Sequence, residues 1–185
     1  MAVLQQLAAR RNAVVATGFV TSMQERARER SFANPREAAN RYATIVQKRL
    51  DNLRPQIADA KRTLMVAQEK TQSGELDLIA APAEQIPATV VLSLFRMLET
   101  MYERSRNSAD VYTISRVGIA ASILQTTLND GLLRERTYAK NTEDRKSDAK
   151  TVIGKAQTLY RDVLGALDNT HQSLGVEPPA FPALH

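Results

Sequence analysis

The chain is expected to be all-α: an elongated antiparallel helical bundle built from coiled-coil-like hairpins, with an extended linker and a proline-rich C-terminal tail. Three observations predict this. Between Asn34 and Gly74, apolar residues recur at Ala43, Val46, Leu50, Leu53, Ile57, Ala60, Leu64 and Ala67. That alternation of threes and fours lays a narrow apolar stripe along one side of a helix. A second such run, Ala149, Val152, Ala156, Leu159, Val163, Ala166 and Thr170, lies towards the other end. Third, aromatic residues are only 5% of the 185 and Trp is absent. Packing therefore falls to Ala, Leu, Val and Thr, which suits close helix–helix contact better than a bulky globular interior.

Residues 1–175 read as a single elongated helical domain. The first helix covers about 2–31, with Leu4, Leu7, Val14, Phe19 and Met23 at roughly helical spacing and a charged second half, Glu25 to Arg30. A turn at Ser31–Asn34 leads into the second helix, about 35–73. Asn34 suits its cap, Pro35 its first turn and Glu37 the capping-box position. Pro55 interrupts it, but the stripe passes through without a slip and Pro55 falls on the outer face. A bent but continuous helix is expected, since an interior proline costs one backbone bond. Ser73-Gly74 ends it, glycine taking the left-handed position after a helix.

Residues 74–87 read as a linker, because two prolines five apart (Pro82, Pro87) and no helical period mark an irregular stretch. A third helix is expected over about 87–140, its stripe formed by Val91, Leu94, Leu98 and Met101. Breaks are placed near 107, at Asn107-Ser108, and near 130, at the Asn129-Asp-Gly131 turn signal. Gly118, Ala120, Ala121 and Ser122 permit close backbone approach in a tight bundle centre. The last helix covers about 142–174, opened by Asn141 with Glu143 and Asp144 at its positive end. Residues 176–185 hold three prolines and read as an extended tail. Held in place, such a tail needs a body to pack on, so Phe181 and Leu184 are candidate contacts with a neighbouring subunit, the alternative being that the tail folds back on its own bundle.

The net charge of +5 is uneven. Residues 1–70 carry 13 Lys/Arg against 6 Asp/Glu, and residues 71–185 carry 12 against 14. Arg10, Arg11, Arg26, Arg28, Arg30, Arg36, Arg41, Lys48 and Arg49 are therefore candidates for contact with a polyanion such as nucleic acid or an acidic lipid surface. No base-stacking aromatics are interleaved with them.

Catalytic and metal motifs are not found. With no cysteine, disulfides and thiolate metal sites are excluded. His171 and His185 are the only histidines, and a di-metal bundle needs Glu-x-x-His on two helices. Neither a phosphate-cradling glycine loop nor a nucleophile elbow occurs. No catalytic residue, cofactor or metal is expected, and no enzyme activity. The longest uncharged apolar runs, Asn12–Gln24 and Val117–Asn129, have thirteen residues each, short of the ~20 a spanning helix needs. No cleaved signal peptide is expected.

Two long narrow stripes exceed what one small bundle must bury, which points to copies lying side by side. The reading is a non-enzymatic structural subunit of a homo-oligomeric assembly: an internal, connector or tube-forming protein of a bacteriophage virion. Its partners would be itself and other assembly proteins. A basic helical nucleic-acid-binding protein is the first alternative, consistent with lining a DNA passage. A membrane-active or secretion-apparatus helical subunit is the second. The setting is a virion or the cytoplasm.

Overall fold

A computed structural model describes the protein from residue 35 to residue 183. The expected helix over 2–31, the Asn34 cap and the last two residues lie outside the described residues. Helix accounts for 77% of the described residues, with no strand among them; the fold is all-α. The elements are α1 (Pro35–Gln72), α2 (Ala80–Asn107), α3 (Val111–Asn129), α4 (Thr142–Leu167) and a single turn, α5 (Thr170–Ser173).

At 38 residues, α1 is about 57 Å long. It runs uninterrupted through Pro55, which faces solvent, where the pyrrolidine ring meets no neighbouring helix. Its stripe is covered within this one chain: Ala43, Val46, Leu50, Leu53, Ala60 and Ala67 are buried, and Ile57 and Leu64 are half-buried. The helix stops where Gly74 takes φ +79°, a conformation that costs a side chain with Cβ dearly. Ser73 N–H donates back to the Glu69 carbonyl at 2.9 Å and Leu76 N–H to Lys70 at 3.1 Å.

The linker is shorter than the prolines suggest, since α2 begins at Ala80 and not at Pro87. The Asp77 carboxylate accepts from the N–H groups of Ile79 (3.0 Å) and Ala80 (2.8 Å), satisfying the helix start. Pro82 stands in the first turn, where an N–H has no intrahelical acceptor anyway. Pro87 does remove one bond, and the burial of Ile86, Pro87 and Ala88 on the α2 face offsets it. The break between α2 and α3 is three residues, Ser108 to Asp110, with Ala109 left-handed at φ 53°. Asp110 then caps α3, accepting from Thr113 N–H at 3.1 Å. After Asn129 the chain leaves helix until Asn141, whose side chain accepts from Glu143 N–H at 2.8 Å to open α4. That helix ends at Leu167, earlier than the expected 174, because Asp168 and Asn169 both turn left-handed.

Cross-helix bonds fix the directions. Tyr102 on α2 donates to the Ala43 carbonyl on α1 (2.9 Å), and Gln85 donates to Thr71 (2.9 Å), so α1 and α2 are antiparallel. Arg49 bonds the Gly118 carbonyl while Gln56 bonds Asn129, so α1 and α3 are parallel. Arg145 pairs with Asp77 while Arg104 reaches Leu174, so α2 and α4 run parallel. Contact is extensive for α1 with α2 and α3, for α4 with α2 and α3, and between α2 and α3. The α2–α3 pair thus forms the centre, flanked by α1 and α4. This explains why α3 is buried all round at Val117–Ala121, five consecutive residues spanning more than a full turn. The small-residue segment is the bundle centre, and no described helix is long and apolar enough to cross a membrane.

The described part of the tail packs on its own chain. Tyr160 on α4 donates its hydroxyl to the Pro179 carbonyl at 2.6 Å, and the Phe181 ring meets Tyr160 edge-on at 5.6 Å. Val176 and Phe181 pack on the chain's own core. Phe181, expected to meet another copy, packs here within its own chain, on an aromatic partner 21 residues upstream. Leu184 lies outside the described residues.

Candidate functional site

The basic candidates do not form one patch among the described residues. Arg10, Arg11, Arg26, Arg28 and Arg30 lie outside them. Arg36, Arg41 and Lys48 are exposed on α1. Arg41 and Lys48, seven residues apart, share a side of the helix, while Arg36 stands about 140° away around the axis. Arg41 is in an ion pair with Glu37 at 2.7 Å. Arg49 turns inward instead: its guanidinium donates to the Gly118 carbonyl (3.1 Å) and to Ser122 Oγ (2.8 Å). Burial pulls its pKa down from the ordinary arginine value. Arg49 is thus a half-buried tie between α1 and α3, not a surface for a polyanion.

Polar groups cluster at two ends of the bundle. At one, Tyr112 donates to Asp168 at 2.6 Å, with the Arg116 guanidinium 3.4 Å from the same oxygen and 5.3 Å from the Tyr112 ring centre. The Tyr112 hydroxyl, and then Arg116, hold the Asp168 carboxyl below its usual value. At the other, Tyr138 donates to Glu84 at 2.7 Å and Arg145 pairs with Asp77 at 2.7 Å. Burial, and then the Glu84 carboxylate, push the Tyr138 phenol well above its ordinary range. Each charged group in these clusters has an oppositely charged or hydroxyl partner, with only Arg145 Nε left buried without a hydrogen bond among their described atoms, so each reads as a clasp closing the bundle. Among the described residues no group of three or more His, Asp or Glu side chains is placed to hold a metal ion.

The feature that is not closed is a groove of about 900 Å³ between the C-terminal half of α1, the outer face of α2 and the tail. Its floor is mostly apolar: Leu64, Leu92 and the buried Phe95 and Met97, with Ile57 and Met65 on the α1 side and Val176 and Pro179 on the tail side, interspersed with Thr89, Ser93 and Thr100. Met65 is 53% exposed. The rim is charged. Arg54 pairs with Glu99 at 2.8 Å and lies over the Phe95 ring at 5.9 Å, while Lys61 and Arg96 are exposed. A smaller hollow of about 250 Å³ continues beside the α1–α2 turn, under Leu78, which is 91% exposed.

By contrast, the α1–α3 side is filled by Arg49, Gln56, Gln125 and Asn129, which bond to one another or to backbone. The groove therefore offers a strip of apolar floor between charged rims, the form that receives an amphipathic helix. The sequence stripes did not single it out. The signal was the doubling of apolar positions on α2, where Val91, Leu92, Leu94 and Phe95 exceed the width of one face.

No protein-family model matches this chain, and neither a curated protein nor a solved structure is significantly similar to it.

Proposed function

We propose that this protein is a non-enzymatic structural subunit of a homo-oligomeric assembly, joined to its neighbours by a helix laid lengthwise in the α1–α2 groove. What carries the reading is the groove itself: a concave, mostly apolar strip beside a half-exposed Met65, the form into which a partner helix is laid. The covered stripes on α1 and α4 do not require a neighbour, so the contact is assigned to the groove and not to the seams. Coiled-coil-like lengthwise pairing then operates between subunits at this one face. A ring or tube within a virion is the setting that suits long helices joined end over end.

The test is solution mass as a function of concentration for the unmodified chain and for Met65→Glu. Met65 is exposed enough that the charge leaves folding within about 0.5 kcal/mol. The unmodified chain is expected above its 20.5 kDa monomer mass at micromolar concentration, and Met65→Glu close to it. Equal masses for the two would contradict the assignment to this groove.

A further inference from the structure

We infer that the helix received by the groove is the N-terminal segment, residues 2–31, of a neighbouring copy. This inference rests on the assembly reading above. The segment has the required chemistry: an apolar half with Leu4, Leu7, Val14 and Phe19, broken by Arg10 and Arg11, then a charged half of net +1 with Arg26, Arg28 and Arg30 against Glu25 and Glu29. The 34 residues that precede α1 end at one end of the bundle, and as helix they would reach about 50 Å.

Charge selects the neighbour over the same chain. A segment folded back from Pro35 onto its own groove would run antiparallel to α1. Its three arginines would then lie beside the bundle end that already carries Arg36, Arg41, Arg104 and Arg106 against Glu37 and Glu103. The far end, around the α1–α2 turn, is acidic, with Glu69, Glu75, Asp77 and Glu84 against Lys70 and Arg145. Asp77 and Glu84 are engaged with Arg145 and Tyr138, and Glu69 and Glu75 are exposed.

A segment entering from that end runs parallel to α1. Its arginines meet these acids while its apolar half covers Leu64 and Leu92. In this register Val14 is set beside Lys61, which brings Arg26, about 18 Å further along a helix, to Gln72, about 17 Å further along α1 and near Glu69 and Glu75. The donor's own α1 then begins beyond the turn, so subunits join head to tail. Such a contact is heterologous and yields a ring or an open tube.

The chain has no cysteine, which makes disulfide trapping clean. Full-length Val14→Cys and Lys61→Cys proteins are mixed at micromolar concentration and oxidised. A disulfide between the two copies is expected, in yield about tenfold above a Val14→Cys with Gln157→Cys control, since docking raises the local thiol concentration. Gln157 is exposed on α4, away from the groove. Glu75→Lys in the Lys61→Cys partner, or salt at about 1 M, should cut the yield several-fold if the charged half is placed as argued.

A yield no better than the control overturns the inference. So does a link found only within one chain of the Val14→Cys/Lys61→Cys double variant. The mass of the unmodified protein separates the two levels: an oligomer without the 14–61 link removes this inference alone, and a strict monomer removes the assembly reading with it.

Discussion

Gly118 offers the sharpest test of how the bundle is packed. A Cβ built there would stand 3.0 Å from Val46 Cγ2, and Val46 is 0% exposed. The valine is β-branched and held at χ1 in its helix, so it cannot swing clear. Gly118→Ala gains about 1 kcal/mol of helix propensity and loses about 1–3 kcal/mol to overpacking. The expected net is a destabilisation of about 1 kcal/mol, or a fall in Tm of about 2–4 °C for a chain of this size.

Gly154 on α4 is the control, because a Cβ there meets nothing within 4 Å. Gly154→Ala should therefore stabilise by about 1 kcal/mol. Val46→Ala removes the atom that opposes Gly118→Ala, so in that background the alanine should turn from destabilising to stabilising. The cycle coupling would be about 1–2 kcal/mol. Urea denaturation of the four proteins gives it directly. If Gly118→Ala stabilises as Gly154→Ala does, or costs the same in both Val46 backgrounds, the claimed close approach of α1 and α3 is wrong.

Further outcomes concern caps, tail and pH. Asp77→Ala should destabilise by about 1 kcal/mol through loss of the α2 start, with faster amide exchange at Ile79 and Ala80. Tyr160→Phe keeps the ring packing on Phe181 but drops the bond to Pro179, costing about 1 kcal/mol and raising exchange in residues 176–183. Asp51, Asp77 and Asp168 have carboxyls lowered from 3.8 by the Arg54 hydrogen bond, the Ala80 N–H and the Tyr112 hydroxyl respectively. A lowered folded value stabilises above the unfolded one and is lost as pH falls through it. Thermal melts should thus show these contributions constant from neutral pH to about 5 and declining below about 4; Asp77→Asn should flatten part of that decline.

Much of the architecture was legible because it rests on period. The α1 and α4 stripes, the glycine stop at Gly74 and the cap at Asn141 each follow from local geometry that tertiary contacts did not override. The α2 start was misread because Pro82 and Pro87 are breakers only in a helix interior or when unsupported. Asp77 supplied the cap two residues ahead, and burial of Ile86 and Ala88 held the rest. Arg49 was misassigned for a related reason. A long cationic side chain beside a stripe looks like surface until the partner helix is known, and here Gly118 opens the gap it crosses. Residues 176–183 form no helix, and their partner, Tyr160, is distant in sequence, so no periodicity announces it. The groove lies between elements whose adjacency is tertiary, which is why only the widened apolar face of α2 hinted at it.

Sedimentation equilibrium of the full-length chain over nanomolar to tens of micromolar concentration tests the assembly claim most directly. The account predicts a mass rising above 20.5 kDa as concentration increases and returning to it in Met65→Glu. A mass fixed at the monomer value throughout that range would contradict it.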